Sequence, residues 1–295
     1  MSRKKKHNWT KMLTSFVGIA AIAYLGCCIL LLKLQKRFIF FPSSLVENPP
    51  PELSLFYEDV WLPVKNSDHL VHGWLIPTQS PKIGTLLYLH GNGFNISANL
   101  DRALVFQKLG FDVLLIDYRG YGKSSGDFPS EKTAYEDAKV AWDYLVNSKN
   151  IKPQDIFIYG HSLGGAIAID LATKTPQTAG LIIEGSFTSI REMIRYKKIY
   201  ELFPIDWLLE QRFDSINKVK SLPMPILFVH GLEDRIVPAK MSQSLYDATT
   251  SPKKLLLVPD AGHNNVVSVS GETYLETVKD FYQLVRDRQR KLAQF

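Results

Sequence analysis

Cysteine is nearly absent from this sequence. Its two cysteines, Cys27 and Cys28, are neighbours among 295 residues. Adjacent cysteines rarely pair with each other, so no disulfide framework is indicated and the redox compartment cannot be read from them. No Cys/His cluster has the spacing of a metal site, and no G-x-G-x-x-G follows an apolar run that could be a strand. The sequence therefore predicts neither a metal nor a cofactor.

A strong charge imbalance is also missing from the folded part of the chain. The formal net charge is +6, but five basic residues lie among the first eleven: Arg3, Lys4, Lys5, Lys6 and Lys11. The remainder is close to balance, which gives nucleic-acid binding no electrostatic support. Internal repeats and low-complexity segments are not visible either.

Charged residues are lacking altogether at 13–32, an apolar run of the length that crosses a bilayer as a helix. The run has no clear Ala-x-Ala exit, which favours an uncleaved signal anchor over a cleaved signal peptide. Apolar residues continue past Cys27, which argues against lipoprotein processing there. Basic residues are more numerous before the run than after it, so we expect the N-terminus in the cytoplasm and the catalytic domain on the non-cytoplasmic side.

The chain divides into an N-terminal part and one globular part. Aromatic and basic residues at 36–42 are typical of a membrane interface, and three prolines at 49–51 form a stiff spacer before the globular part. We predict a basic segment at 1–12, a transmembrane signal anchor at 13–32, a juxtamembrane linker at 33–52 and one domain at 53–295.

Within this domain, apolar runs alternate with helical patterns. Runs compatible with strands lie near 56–62, 70–76, 84–90, 112–117, 155–160, 180–185, 225–230 and 254–258, and helical patterns lie near 97–109, 131–148, 163–174, 239–249 and 272–291. This alternation indicates an α/β fold with a mostly parallel, doubly wound sheet, whose first two strands form an antiparallel edge. Residues 187–221 interrupt the alternation and predict a small helical cap.

The strongest chemical signal is Gly160-His161-Ser162-Leu163-Gly164, which follows a β-branched and aromatic run and precedes an Ala/Ile-rich helical segment. This is a G-x-S-x-G motif in strand–turn–helix context. The serine of such a turn occupies strained backbone, for which the glycines make room. Ser162 is therefore a candidate nucleophile, and the N–H of Leu163 is a candidate oxyanion donor.

A serine nucleophile needs a base, and the base needs an acid that orients it. In an open α/β sheet these groups gather at the carboxyl ends of strands. His263 follows the last apolar run and Asp234 follows the run before it, while Glu233 and Asp260 are alternative acids on the same loops. The order Ser162, Asp234, His263 is the one expected for this architecture. The other histidines fit packing or hydrogen-bonding roles: His69, His72, His90, His161 and His230.

A second oxyanion donor is expected in the loop after the third strand, His90-Gly-Asn-Gly-Phe94. The backbone N–H of Asn92 is the first candidate, with Gly93 and Phe94 as alternatives. Aromatic residues of the cap, together with the loop, supply candidates for substrate binding: Phe94, Phe187 and Trp207, beside Tyr196, Tyr200 and Phe203.

Five motifs stand in a fixed order along the chain: His90-Gly-Asn-Gly, Asp117-Tyr-Arg-Gly-Tyr-Gly-Lys-Ser, Gly160-His-Ser-Leu-Gly-Gly, His230-Gly-Leu-Glu-Asp and Gly262-His-Asn. Over residues 36–290 the sequence resembles the α/β-hydrolase superfamily. With the apolar segment and Phe40-Phe-Pro42 before the domain, it is most similar to the Bem46-like (ABHD13-like) serine hydrolases. The resemblance implies an eight-stranded sheet, a triad of Ser162, Asp234 and His263, and an oxyanion hole at Asn92 and Leu163.

The function expected from these features is that of a membrane-anchored serine hydrolase. It would cleave carboxylic esters or thioesters of lipophilic acyl groups, with the bilayer and such a substrate as its partners and with no nucleic acid or metal. A serine peptidase and a non-catalytic membrane scaffold that keeps the fold are the two alternatives.

Overall fold

The computed structural model describes residues 2–49, 55–198 and 202–294. The predicted cap residue Tyr200 and the prolines at 50–51 lie outside them. The strands are β1 (Phe41–Pro42), β2 (Glu58–Pro63), β3 (Leu70–Ile76), β4 (Gly84–Leu89), β5 (Gly93–Phe94), β6 (Phe111–Ile116), β7 (Ile156–His161), β8 (Gly180–Glu184), β9 (Ile226–Gly231) and β10 (Lys253–Val258). The α-helices are α1 (Ser2–Ile39), α2 (Leu100–Lys108), α3 (Glu131–Asp143), α4 (Leu163–Lys174), α5 (Ile190–Lys197), α6 (Ile205–Leu208), α7 (Ser215–Lys218), α8 (Ala239–Ala248), α9 (Val266–Ser270) and α10 (Glu272–Leu292).

Among the described residues, eight strands form one sheet in the order β10-β9-β8-β7-β4-β6-β3-β2. Neighbours run parallel except at β3, which pairs antiparallel with both β6 and β2. The central strands β4, β7, β8 and β9 are buried along their whole length, as expected for a parallel sheet covered on both faces. The predicted α/β fold, with its antiparallel edge, is confirmed.

The two faces of the sheet carry separate hydrophobic clusters because successive strand residues point in opposite directions. On one face, Leu87 and Ile158 belong to a cluster that includes residues of α3, α4 and α8. On the other, Tyr88 and Phe157 belong to a cluster with residues of α2 and α10. The parallel strands between these layers bring the loops after β4, β7, β9 and β10 to one edge, and the candidate catalytic residues lie there.

The chain leaves the sheet between β8 and β9, where the sequence predicts a cap at 187–221. Helices α5 and α6 form the outlying part of this excursion. Helix α7 packs on α4 and α8 instead, and Val219 belongs to the main core cluster. The last part of the predicted cap therefore belongs to the body of the domain.

Helix α1 runs without interruption from Ser2 to Ile39, well past the predicted end of the apolar span. Residues 33–39, predicted as linker, are helical because Leu, Lys, Gln and Arg favour helix and the first proline comes at Pro42. Residues 11–39 are long and apolar enough to cross a membrane. After the helix, β1 pairs in parallel with β5, in the loop that follows β4. The N-terminal segment is thus joined to the edge where the candidate site lies.

Candidate active site

Ser162 occupies a sharp turn between β7 and α4. Its φ of 54° and ψ of −117° lie where a residue with a side chain is strained. The turn is held by two hydrogen bonds, from the Ser162 amide to the Glu184 carbonyl (2.8 Å) and from the Ser186 hydroxyl to the Ser162 carbonyl (2.8 Å). Glycine is required at Gly164, where a Cβ would lie 2.0 Å from the carbonyl oxygen of Leu89. The structure therefore has the backbone geometry of a nucleophile elbow.

His263 and Asp234 are hydrogen-bonded to each other. The Nδ1 of His263 donates to the Oδ2 of Asp234 at 2.6 Å. The other carboxylate oxygen accepts the backbone N–H groups of Ile236 and Val237, at 2.8 and 2.9 Å. Because Nδ1 carries the proton, the Nε2 of His263 is left as the basic nitrogen of the ring.

A second histidine supports the Asp234 carboxylate. The Nε2 of His230 lies 3.1 Å from its Oδ2 and 2.9 Å from the carbonyl of Val237, and the Nδ1 accepts from the hydroxyl of Ser242 at 2.7 Å. Burial alone would raise the pKa of Asp234, but the hydrogen bonds from His230 and His263 hold this pKa well below its ordinary value. Asp234 is therefore a carboxylate near neutral pH.

His161 and Arg102 hold the loop that carries His263. The Nε2 of His161 donates to the carbonyl of His263 at 3.1 Å, and the Arg102 guanidinium donates to the carbonyl of Asn264 at 3.0 Å. Burial lowers the pKa of His161 well below its ordinary value, and Arg102 and His263 lower it further. His161 is thus a neutral donor. The sequence indicated only a structural residue here, because the distance along the chain concealed this contact.

The Ser162 hydroxyl and the His263 imidazole reach the same edge of the sheet, but no direct hydrogen bond joins them among the described residues. Gly185, at φ +58°, lies beside the histidine ring, where its Cβ would be 3.4 Å from two ring atoms. In unliganded enzymes such catalytic hydrogen bonds are often long and tighten when substrate binds. The alternative acids Glu233 and Asp260 are exposed, and neither is hydrogen-bonded to His263 in the described part of the chain.

Two backbone N–H groups flank Ser162. Leu163 is the first residue of α4, where N–H groups have no partner within the helix. Asn92 follows Gly91, whose Cβ would lie 3.5 Å from the Cβ of Ser162. Neither N–H donates a hydrogen bond to another described residue. Both are therefore available for an oxyanion at Ser162.

Asn92 is held in place by residues from two distant parts of the chain. Its carbonyl accepts hydrogen bonds from the Phe41 amide at 2.8 Å and from the Tyr121 hydroxyl at 2.7 Å. Its side-chain amide donates to the carbonyl of Ile39 at 2.9 Å. The loop with one candidate oxyanion donor is thereby tied to the end of α1.

A cavity of about 460 Å³ opens beside Ser162. Helices α1, α5 and α6 contribute ten of its eighteen lining residues. Four lining residues are polar or charged: Gln35, Asn92, Ser162 and Lys197. The others are apolar: Leu31, Phe38, Ile39, Phe41, Leu163, Phe187, Ile190, Met193, Ile194, Ile205, Leu208, Leu209, Ile236 and Val237. A space of this size and composition is typical of a site for a small apolar ligand.

Of the three candidate substrate-binding residues, one lines the cavity and two do not. Phe187 is buried and lines the cavity. Phe94 and Trp207 do not line it, and their side chains are 69% and 90% exposed. The contribution of α1 to the wall, through Gln35 and its neighbours, was missed because the sequence separates an apolar span from the domain. Within the described residues, no group of three or more His, Cys, Asp or Glu could hold a metal ion.

Comparison with known proteins is consistent with this geometry. Residues 80–217 match a family model described as Hydrolase_4, serine aminopeptidase, S33. The chain is 34% identical to protein bem46 of Schizosaccharomyces pombe over 284 residues, which cover 90% of this chain and 92% of that protein. The chain belongs to the Bem46-like α/β-hydrolases. The family indicated by the sequence motifs is thus confirmed.

Two further comparisons extend over most of this α/β-hydrolase. It is 30% identical over 299 residues to the alpha/beta hydrolase domain-containing protein WAV2 of Arabidopsis thaliana, with 94% of this chain and 96% of that protein covered. An esterase of Pyrococcus furiosus has the same fold, with a TM-score of 0.68 at 24% identity over 82% of this chain and 98% of the esterase. At that identity the likeness concerns the fold.

Proposed function

We propose that this α/β-hydrolase is a membrane-anchored serine hydrolase that cleaves carboxylic ester or thioester bonds of lipophilic acyl substrates. One observation carries the proposal: Ser162 lies at the wall of an apolar cavity, at the same sheet edge as the hydrogen-bonded pair His263 and Asp234. A strained serine, an oriented imidazole and two free N–H groups are the parts that acyl transfer needs.

The reaction follows from the roles of these atoms. The Ser162 hydroxyl oxygen attacks the substrate carbonyl carbon while the Nε2 of His263 takes its proton, and the carbonyl oxygen becomes an oxyanion bound by the N–H groups of Asn92 and Leu163. The imidazolium returns the proton to the leaving alcohol or thiol, and the acyl group stays on Ser162. A water molecule then attacks the acyl-enzyme by the same steps, which release the acid. Asp234 holds the ring and stabilises its charged form.

The cavity wall favours an apolar acyl group. Its polar lining residues are Gln35, Asn92, Ser162 and Lys197. Asn92 and Ser162 are at the reacting end, and the side chain of Gln35 is occupied by hydrogen bonds to the backbone of residues 208–211. The space between α1 and the cap is therefore suited to hydrocarbon.

The name of the matching family model raises the alternative of an aminopeptidase. Such an enzyme must bind the ammonium group of its substrate, and an acidic side chain is the usual partner for that charge. Among the described lining residues there is no Asp or Glu, and the one charged residue is the cationic Lys197. An uncharged ester fits this wall better than a peptide amino terminus.

Anchoring by α1 is part of the proposal. The helix is long and apolar enough to span a bilayer, and its flanking basic residues favour a domain on the non-cytoplasmic side. Asn95 begins a glycosylation sequon, but its side chain is buried and donates to the carbonyls of Ser43 and Leu45, at 3.2 and 2.6 Å. We expect this asparagine to remain unmodified on either side of the membrane.

The test is a comparison of the full-length protein with Ser162→Ala, using a short p-nitrophenyl ester in detergent and labelling by a fluorophosphonate. Ser244→Ala, an exposed serine on α8, is the matched control. We expect hydrolysis and labelling to be lost in Ser162→Ala alone. Wild-type turnover by that variant would contradict the mechanism, and a wild-type protein that neither hydrolyses nor is labelled would favour the non-catalytic scaffold.

A further inference from the structure

We propose that the cap tip, defined as residues 202–208, inserts into the membrane leaflet beside α1, and that the substrate is an acyl-ester amphiphile of this leaflet. The acyl chain of this substrate enters the cavity from the bilayer. The substrate part of this inference depends on the proposed hydrolase function, whereas the insertion of the cap tip does not.

The first observation is that the cap lies along the membrane helix. The Tyr24 ring stacks on Phe203, with ring centroids 5.6 Å apart and planes 6° from parallel, and the Tyr24 hydroxyl donates to the carbonyl of Leu202 at 2.9 Å. Tyr24 is inside the charge-free run that ends at Leu32. At 1.5 Å per residue, it lies about 12 Å from that end.

The depth that follows is that of an interfacial segment. A charge-free run of about 20 residues covers about 30 Å, the hydrocarbon thickness of a bilayer. If α1 spans the membrane with this run, Leu202 and Phe203 beside Tyr24 lie about 12 Å below the hydrocarbon surface, and Leu208, which bonds to Gln35 beyond Leu32, lies close to that surface. Amphipathic interfacial helices are buried to about 5–10 Å. The contact between α1 and the cap is therefore incompatible with a cap surrounded only by water.

The outward side chains of the cap tip suit this environment. Leu202 is 83% exposed and Trp207 is 90% exposed, so this short segment presents two large apolar side chains to its surroundings. Tryptophan is enriched at membrane interfaces because its ring is amphipathic. The charged neighbour Asp206 is paired with Arg191 of α5, which lowers the cost of bringing its charge near lipid.

Basic residues mark the level of the lipid headgroups. On α1, three follow the apolar run, and on the cap three are at the end of α5; together they are Lys33, Lys36, Arg37, Arg195, Lys197 and Lys198. Lys and Arg side chains near the end of an apolar segment extend to the membrane interface, where they meet the lipid phosphates. Lys197 of the cap and Phe38, next to Arg37 on α1, line the same cavity.

The mouth of the cavity is at this level. Four cavity-lining residues are also exposed at the surface and therefore mark the opening: Phe38, Phe41, Lys197 and Ile236. Phe38 comes six residues after Leu32, or about 9 Å along the helix, which is within the headgroup region. An acyl chain that leaves the leaflet here reaches Ser162 along an apolar wall without crossing water.

Insertion is tested first, by a measurement that needs no catalysis. The full-length protein is reconstituted in phosphatidylcholine vesicles with bromine on the upper part of the acyl chains. The emission of Trp207 is obtained as the difference between wild type and Trp207→Phe. We expect bromolipid to quench this difference emission. Emission that bromolipid leaves unchanged would overturn the proposal.

The route of the substrate is tested next, with the double variant Leu202→Gln, Trp207→Gln. Leu292→Gln, which changes an exposed leucine on α10, is the control. Rates are measured on p-nitrophenyl butyrate in solution and on 4-methylumbelliferyl palmitate held in the same vesicles. We expect the double variant to hydrolyse the vesicle-bound ester about tenfold more slowly and the soluble ester within about twofold of wild type.

The outcomes separate this inference from the proposed function. Equal losses on both esters, or no loss on the vesicle-bound ester, would overturn delivery from the leaflet. A wild-type protein that hydrolyses neither ester would instead reject the hydrolase function and, with it, the substrate part of the inference. In that case the quenching measurement would still decide whether the cap tip contacts lipid.

Discussion

The side-chain amide of Asn92 donates a hydrogen bond of 2.9 Å to the carbonyl oxygen of Ile39, the last residue of α1. The final carbonyls of a helix lack partners within it, so this bond satisfies one of them. It also links the apolar N-terminal helix to the loop that offers a backbone N–H beside Ser162. The end of α1, which the sequence assigned to a linker rather than to the anchor, is therefore part of the wall of the site.

Replacing Asn92 by alanine keeps the backbone N–H but removes this tie. We expect kcat to fall about tenfold, which is less than the hundredfold to thousandfold loss typical of a missing oxyanion donor. The loss should be similar for short and long acyl esters, because it concerns the oxyanion rather than the acyl chain. Asn217→Ala, on an exposed part of α7, is the control. A change confined to KM would contradict a positioning role for Asn92.

Asp234→Asn should disable the base. The Nδ1–H of His263 and the Nε2–H of His230 both point at Oδ2. An amide NH₂ in place of that oxygen is itself a donor, so it could accept neither hydrogen bond. Nothing would then hold the proton of His263 on Nδ1, so Nε2 would no longer be kept as the basic nitrogen. We expect kcat to fall about 10⁴-fold. Asp260→Asn, an exposed change on a neighbouring loop, should leave kcat near the wild-type value. A loss of less than tenfold would assign the acid to another residue.

The same substitution has a consequence for stability in acid. Because the pKa of Asp234 is lower in the folded protein than in the unfolded chain, the unfolded state binds more protons as the pH falls below about 4. The contribution of this carboxylate to the free energy of unfolding is complete above that pH. It is lost as the pH falls toward the pKa that Asp234 has in the folded protein. Between about pH 4 and pH 2, the free energy of unfolding should therefore decrease more steeply for wild type than for Asp234→Asn. Parallel curves would contradict the depressed pKa.

The buried ring of His161 should give a second pH range in which acid lowers the free energy of unfolding. The folded protein holds this ring neutral because burial lowers its pKa, whereas the unfolded chain protonates it below about pH 6.5. The free energy of unfolding should fall by up to about 1.4 kcal/mol per pH unit below that value. In His161→Asn this dependence should be shallower. Denaturant unfolding in detergent at a series of pH values measures it, with His69→Asn as the control, and equal slopes in wild type and variant would count against a buried neutral His161.

Much of the fold was accessible from the sequence because its signals are local. Strand–helix alternation and continuous apolar runs predict the buried parallel sheet, and the turn at Ser162 is encoded by its own glycines. The loops that carry Asp234 and His263 could be placed at the sheet edge by topology alone. These features depend on residues that are close in sequence or on a general rule of strand order.

The part that was missed depends on contacts between distant segments. A run without charges indicates a span, but neither this run nor the residues after it indicate that Tyr24 contacts Phe203 or that Gln35 bonds to residues 208–211. Phe94 and Trp207 were chosen for substrate binding because they are aromatic, yet aromatic character does not show which way a side chain points. The direction is decided by the packing of the cap on α1, which periodicity cannot show.

Gln35 joins α1 to the cap and provides the last test. Its Oε1 accepts the backbone N–H groups of Glu210 and Gln211, at 2.8 and 3.1 Å, and its Nε2 donates to the carbonyls of Leu32 and Leu208, at 2.9 and 3.4 Å. Gln35→Leu keeps much of the volume but leaves these N–H groups without their acceptor. A lost acceptor for a buried donor costs about 1–3 kcal/mol, so we expect local opening of the segment around residues 208–211 to become at least about tenfold more frequent.

Hydrogen exchange measures this opening directly. The amides of Glu210 and Gln211 should exchange about tenfold faster in Gln35→Leu, while the core strands β4 and β7 keep their wild-type protection. Gln107→Leu, a buried glutamine that donates to the carbonyl of Pro77 on the opposite side of the domain, is the matched control and should leave the cap unchanged. Because the segment that opens carries the cavity-lining residues Leu208 and Leu209, KM for a long-chain ester should rise in Gln35→Leu. Wild-type exchange rates at residues 210 and 211 would mean that Gln35 contributes nothing to the rigidity of the wall. The cap would then be held to α1 by apolar contacts, such as the stacking of Tyr24 on Phe203.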